Sequence, residues 1–157
     1  KGMTWLAMLW FLQDFVQVFL MGFFIVPNIY LMTLLLMALL PATGKERQIM
    51  IIWAAFVGGL IWDFRWTNLP GLTAALNAGL VAASCWAWQK IPAQGRTPIF
   101  FAVIVLAAML FSGSVHFALW TVSSQVALRQ FFVQQLLGVP LAIIFSLVYW
   151  KVSERNV

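Results

Sequence analysis

The chain has very little charge. Asp, Glu, Lys and Arg together make up 8% of its 157 residues, whereas a water-soluble domain carries about 25%. Apolar residues make up 64%, and apolar runs long enough to cross a bilayer recur along the whole length. No long hydrophilic segment interrupts them. The sequence therefore predicts one compact, all-α integral membrane domain over residues 1–157.

Residues that carry catalysis or bind metals are also scarce. There is one cysteine, Cys85, and one histidine, His116, so neither a disulfide nor a cysteine metal cluster can form within the chain. No metalloprotease, serine-hydrolase or phosphate-loop motif is present. Ser112 and His116 are four residues apart on one helix face, but no acidic residue stands nearby to orient the imidazole. We expect no enzyme activity, no metal and no cofactor.

Turn signals divide the apolar sequence into six predicted transmembrane spans. Four of the five breaks carry turn signals, "VPN", "LPATGKER", "TNLPG" and "KIPAQGRTP". The first stretch lacks a small-residue cleavage site, so it is predicted to be a span and not a signal peptide. The predicted spans are 5–24, 27–41, 49–62, 71–88, 99–120 and 126–150, of which the third is short for a full crossing.

The basic residues predict the orientation. With six spans, seven of the nine Lys and Arg residues fall on the side of the two termini, and only Arg65 and Arg129 fall on the other. Because cytoplasmic loops are enriched in Lys and Arg, both termini are predicted to be cytoplasmic. The net charge of +5 is thereby assigned to topology and does not indicate a nucleic-acid partner.

Polar residues inside the spans lie mostly in the halves away from the cytoplasm, and the inner halves are almost wholly apolar. This asymmetry predicts an outward-facing polar cavity. The alternative is that the polar groups hydrogen-bond between helices and leave no cavity. The candidate cavity residues are Gln17, Asn77, His116, Gln134 and Gln135.

Asp14 stands alone as an acid in the middle of the first predicted span, within "LQDFVQ". Exposing a carboxylate to lipid at this depth costs roughly 3 kcal/mol or more. Asp14 should therefore face the bundle or a partner helix. Two alternatives are open: Asp14 has a functional role, or it is a neutral or hydrogen-bonded structural residue inside the bundle.

Small residues recur at four-residue spacing on the third and fourth spans. Such faces let two helices approach closely. They are predicted either to pack these two spans against each other or to dock a partner's transmembrane helix. The candidate positions are Ala54, Gly58, Ala75 and Gly79.

The segment "FVGGLIWDFRWTNLPGLTAALNAGLVA" resembles the signature region of the rod-shape-determining MreD family. In that family a Gly-Leu-apolar-apolar-Asp helix end is followed by a short turn and a Pro-Gly-Leu restart. The Pro27-Asn28 start of the second span and Pro140 in the last span are similar to the family as well. The matching residues of the outer turn are Gly59, Leu60, Asp63, Pro70, Gly71 and Leu72, with Arg65 between them.

This resemblance implies a multi-pass protein of the bacterial inner membrane that takes part in cell elongation. The implied direct partner is MreC, and through it MreB, RodA and the elongation penicillin-binding transpeptidase. The family is thought to share the six-helix architecture of the substrate-binding S components of energy-coupling-factor transporters. Two functions are therefore expected as alternatives: a non-enzymatic scaffold for peptidoglycan synthesis, or an S component with an outward pocket.

Asp63 raises a specific question, because a carboxylate at a helix C-terminus is unfavourable to the helix dipole. Compensation is expected from Arg65, from Arg129, or from backbone N–H groups near Gly71 at the start of the fourth span. A helix N-terminus favours an anion. We therefore predict that Asp63 pins the turn against the start of that span and shapes the outer mouth of the bundle.

Overall fold

A computed structural model describes residues 2–20, 26–41, 43–66, 69–119 and 124–154. Within these ranges the chain is all-helical, with six α-helices and one 3-10 turn. The ends of two predicted spans, at 21–24 and 120, and two basic residues used for orientation, Lys1 and Arg155, lie outside the described residues. The helices are α1 (Gly2–Leu20), α2 (Ile29–Leu39), α3 (Lys45–Trp66), α4 (Leu72–Lys90), α5 (Pro98–Leu119) and α6 (Ser124–Glu154), and the 3-10 turn is Ala93–Gly95.

Several helix bounds differ from the predicted spans. The helix α3 has 22 residues and is not short, because its polar first turn and the Arg65 end remain helical. The helix α2 has only 11 residues, since Pro27 precedes the helix and Asn28 is its N-cap. The helix α6 has 31 residues and continues through Pro140. The bounds of α4 and α5 lie within two residues of the prediction.

Three helical segments are long and apolar enough to cross a membrane: Lys45–Trp66, Pro98–Leu119 and Leu128–Glu154. Two shorter apolar helical segments, Thr4–Leu20 and Ile29–Leu39, accompany them. Large apolar side chains point outward on every long helix, and Phe64, Ile99 and Leu136 are each at least 74% exposed. An apolar surface of this extent is expected to face lipid or a partner. Together with the three segments long and apolar enough to cross a bilayer, it indicates a membrane protein.

Neighbouring helices run in alternating directions. The Tyr30 hydroxyl donates to the Ala54 carbonyl at 2.8 Å, while the Gln48 amide donates to the Ala38 carbonyl at 3.1 Å. The helices α2 and α3 are therefore antiparallel. The helices α5 and α6 are also antiparallel, because Ser146 Oγ near the end of α6 donates to the carbonyl of Pro98 at the start of α5 at 2.6 Å.

The alternation gives the bundle two distinct ends. One end, called the basic end below, carries Lys45, Arg47, Lys90, Arg96 and Lys151. The opposite end, called the Asp63 end, carries the end of α3, the starts of α2 and α4, and the end of α5.

The core surrounds α2. Leu31, Met32, Leu34, Leu35 and Ala38 on this helix are fully buried. The helix is apolar on all sides, as a helix enclosed by other helices must be. The same core also contains side chains from every other α-helix, among them Trp10, Ile51, Val81, Phe101 and Tyr149.

Candidate functional site

Asp63 is fully buried at the join between α3 and α4. Its Oδ1 accepts a hydrogen bond from the Thr73 N–H at 3.1 Å, and its Oδ2 accepts one from the Ala74 N–H at 3.2 Å. These N–H groups belong to the first turn of α4 and have no partner within the helix. Three sources of compensation for the Asp63 charge were expected from the sequence. The structure shows the one supplied by backbone N–H groups at the start of α4. The carboxylate ties the last turns of α3 to the first turn of α4.

Two glycines make this join possible. Gly71 has φ = 91°, a left-handed conformation that other residues adopt only at a cost. Gly59 lies against the α4 backbone, where an added Cβ would stand 2.6 Å from the Cα of Ala74. The Gly59, Asp63 and Gly71 positions of the resemblance therefore form one structural unit, which we call the Asp63 clasp.

Arg65 is directed away from the clasp and toward α1. Its Nε lies 3.1 Å from Oδ1 of Asp14, and the Trp66 indole donates to the same oxygen at 2.7 Å. The Asp14 side chain is 6% exposed and that of Arg65 is 53% exposed. Such a half-exposed pair is worth at most about 1 kcal/mol.

The contacts of Asp14 show which part of the bundle it faces. The sequence placed this acid in the middle of a span, and in the structure it lies within α1 level with the last turn of α3. The reason is the offset between two parallel helices, since Trp10 of α1 already contacts the carbonyl of Gly58. Asp14 is an ion-paired residue of the Asp63 end.

Two glutamines of α1 hydrogen-bond the backbone at the start of α2. Gln13 Oε1 accepts from the Tyr30 N–H at 2.6 Å, and Gln17 Oε1 accepts from the Val26 N–H at 2.8 Å. Asn28 caps the helix by accepting from the Leu31 N–H at 2.9 Å. These buried donors would be costly to leave without partners in a membrane.

Two other candidate cavity residues, Asn77 and Gln135, also make bonds between helices. Asn77 accepts from the Asn28 amide at 3.3 Å, and Gln135 donates to the Met109 carbonyl at 3.4 Å. Gln134 is half-buried on α6.

His116 bridges two polar groups near the start of α4. Its Nδ1 donates to the Ser112 carbonyl at 2.8 Å, because a carbonyl can only accept. Its Nε2 contacts the Thr73 hydroxyl at 3.2 Å. His116 thus contacts the backbone of Ser112, which is four residues away on the same helix face.

One small space is found among the described side chains of the Asp63 end. It measures about 10 Å³, which is room for about one water molecule, and lies among side chains of α1 to α4. Asn77 is the only one of the candidate cavity residues that lines it. Its lining residues are Trp10, Gln13, Asn28, Tyr30, Gly58, Trp62, Thr73 and Asn77.

The small residues divide into packed and open positions. Gly58 packs on the ring of Tyr30, and the Tyr30 hydroxyl donates to the Ala54 carbonyl. Ala54 and Gly58 therefore contact α2 and do not form a free face. Ala75 and Gly79 are exposed on α4, and a Cβ built on Gly79 meets no atom within 4 Å. Ala83 continues this exposed stripe one turn further. We call Ala75, Gly79 and Ala83 the α4 stripe.

Sequence reasoning missed the contacts of Trp10 and Tyr30. The Trp10 indole donates to the Gly58 carbonyl at 3.1 Å, and Tyr30 fills the space beside the same glycine. The four-residue spacing of Gln13 and Gln17 on one face of α1 signals the bond from the Tyr30 N–H to Gln13, but no local pattern signals the contacts with Gly58.

Among the described residues, no three His, Cys, Asp or Glu side chains come together in a way that could hold a metal ion. Comparison of the chain with protein-family models, with curated proteins and with solved structures finds no match.

Proposed function

We propose that this protein is a non-enzymatic scaffold of the bacterial cell-elongation machinery, set in the inner membrane with both termini cytoplasmic. It binds MreC directly and, through MreC, associates with MreB, RodA and the elongation transpeptidase. The proposal starts from the resemblance of the Asp63 clasp and its flanking sequence to the MreD family.

The observation that carries the proposal is the open α4 stripe. Inside the chain, Gly59 allows α3 to approach the Ala74 backbone closely, which is the packing that small residues permit between membrane helices. Ala75, Gly79 and Ala83 present the same chemistry outward at four-residue spacing. Because nothing lies within 4 Å of a Cβ built on Gly79, a second helix can approach α4 closely at this position. The transmembrane helix of MreC is the partner we assign to this face.

The distribution of charge supports the proposed orientation. Five basic residues of the described chain lie at the basic end, and two, Arg65 and Arg129, lie toward the other. Under the rule that basic residues remain on the cytoplasmic side, the basic end faces the cytoplasm. MreC would then enter the complex with its periplasmic domain near the Asp63 end.

The proposal includes six membrane crossings. The 11 residues of α2 span only about 17 Å, less than the roughly 30 Å of a hydrocarbon core. Its crossing is extended by Val26, Pro27 and Asn28, and the Val26 N–H donates to Gln17 of α1. Irregular backbone at membrane depth is tolerated where protein surrounds it.

The transporter alternative finds less support in the described residues. A small-molecule site usually measures about 300–1,000 Å³, whereas the space among the polar side chains of the Asp63 end measures about 10 Å³. Four of the five side chains expected to line the cavity contact groups outside their own helices: Gln17, Asn77, His116 and Gln135.

The first experiment is co-expression with MreC of the same organism, followed by purification in mild detergent. We expect a complex of fixed stoichiometry. Gly79→Leu should reduce recovery of MreC at least about tenfold, which corresponds to roughly 1.4 kcal/mol, because the side chain blocks close approach.

Ala107→Leu is the matched control, since Ala107 is an exposed small residue in the middle of α5. Its complex should be recovered as in the parent protein. Equal recovery of MreC with Gly79→Leu would remove the α4 stripe from the proposal. Failure of the parent protein to bind MreC, together with co-purification of a small molecule or an energising ATPase pair, would replace the scaffold with the transporter.

A further inference from the structure

An open groove lies at the basic end, between the start of α5 and the end of α6. Its volume is about 330 Å³, near the lower limit of about 300 Å³ for small-molecule sites. The scaffold function proposed above does not use it. The lining residues are Arg96, Pro98, Tyr149, Trp150, Ser153 and Glu154.

The inner wall of this groove is held in place by packing. The Tyr149 ring stacks on Phe101 with centroids 4.8 Å apart and meets the Trp88 ring edge-on at 5.7 Å. One turn earlier, Ser146 Oγ donates to the Pro98 carbonyl at 2.6 Å and fixes the start of α5 against α6. The groove is therefore preformed.

The groove combines one cationic and one anionic side chain. Arg96 is anchored because its Nε donates to the Ile91 carbonyl at the end of α4, at 3.1 Å. That bond uses one of the five guanidinium N–H donors. Glu154 lines the same groove. A guanidinium pairs with phosphate and a carboxylate pairs with an ammonium group, so together the two side chains complement a zwitterion that carries both charges.

The surroundings of the groove favour a lipid over a water-soluble zwitterion. Trp150 on its rim is 51% exposed, and Ile99, next to Pro98, is 75% exposed. Tryptophan at a helix end is typical of the membrane–water interface. The apolar surface of Ile99 continues toward the membrane interior along α5, where an acyl chain would run.

We propose that this groove binds the headgroup of phosphatidylethanolamine. The phosphate pairs with Arg96, the primary ammonium donates to Glu154, and the glycerol backbone lies against Trp150 and Pro98. The hydroxyls of Tyr149 and Ser153 supply further hydrogen-bonding groups.

Native mass spectrometry of the purified full chain tests this assignment. The protein is offered equimolar dioleoyl phosphatidylethanolamine, phosphatidylcholine and phosphatidylglycerol. Phosphatidylcholine keeps the positive charge but has no N–H donor, and phosphatidylglycerol has no ammonium group. We expect the ethanolamine lipid to be retained about tenfold over either competitor, the effect of one charge-assisted hydrogen bond.

Two variants assign the charges. Glu154→Gln should abolish the preference for ethanolamine over choline lipid, and Arg96→Gln should lower retention of all three phospholipids. Glu46→Gln and Lys151→Gln are the matched controls, because both residues are exposed at the basic end and neither lines the groove. Circular dichroism establishes that each variant remains helical.

Equal retention of the three lipids by the parent protein would overturn the proposal, as would an unchanged preference in Glu154→Gln. Displacement of the lipid by glycerophosphoethanolamine at equal concentration would also overturn it, because the ligand would then be a water-soluble phosphoethanolamine compound. Loss of MreC binding leaves these outcomes unaffected, so the two proposals fail separately.

Discussion

Replacement of Asp63 by asparagine should destabilise the bundle through a single defined defect. Asparagine has nearly the shape of aspartate but offers one oxygen in place of two. In the native protein, the two carboxylate oxygens accept from the Thr73 and Ala74 N–H groups separately. Whichever way the amide is turned, its NH₂ group faces one of these N–H groups, and two donors meet.

The expected magnitude follows from that defect. A hydrogen bond to a charged acceptor contributes about 1.5–3 kcal/mol. Asp63→Asn should therefore lower the free energy of unfolding by about 2 kcal/mol, and Asp63→Leu, which removes both acceptors, by about 4 kcal/mol. Because Asp63 is fully buried, water does not replace the lost partner.

Unfolding can be followed by circular dichroism in mixed micelles with increasing dodecyl sulfate. Glu46→Gln is the matched carboxylate-to-amide control, since Glu46 is exposed in the first turn of α3. An Asp63→Asn variant as stable as this control would refute the clasp as an energetic feature. A loss equal to that of Asp63→Leu would show that the charge, and not the count of acceptors, provides the stabilisation.

Three further substitutions test the packing and the ion pair by the same unfolding measurement. Gly59→Ala should cost about 1–3 kcal/mol, because its Cβ meets the Ala74 backbone at 2.6 Å. Gly79→Ala should be neutral or stabilising by up to about 1 kcal/mol, since nothing lies within 4 Å; a large loss would mean that the stripe is packed. Arg65→Gln should cost at most about 1 kcal/mol because the pair is half-exposed, whereas Asp14→Leu, which also removes the indole bond, should cost about 2 kcal/mol. Equal costs for these two variants would contradict the assignment of the indole bond.

The helix ends could be predicted where the sequence supplies backbone signals. Pro70 and Gly71 precede α4, and Pro98 begins α5, so the bounds of both helices came within two residues. The predicted third span, 49–62, is shorter than α3 at both ends. Charged residues such as Glu46 and Arg65 indicate the limit of the apolar core, but they are also good helix formers, so the helix continues through them.

Contacts were predictable only when they were close in sequence. Asp63 bonds Thr73 and Ala74, which lie ten and eleven residues away across one turn, and the N-terminal N–H groups of a following helix are an expected partner for an acid. Asp14 bonds Trp66, 52 residues away. Its partner depends on the offset between α1 and α3, which no local pattern contains.

The way in which α2 begins also bears on the small size of the space found among the described side chains of the Asp63 end. A helix of 11 residues that is buried on all sides has to begin deep inside the bundle. Its first donors therefore require acceptors from other helices, and Gln13 and Gln17 supply them to Tyr30 and Val26. Each of these amide oxygens thereby uses one of its two lone pairs on the backbone before or at the start of α2. The architecture of α2 thus accounts for the buried positions of Gln13, Gln17 and Asn28. Two surfaces available for recognition are the α4 stripe and the groove at the basic end.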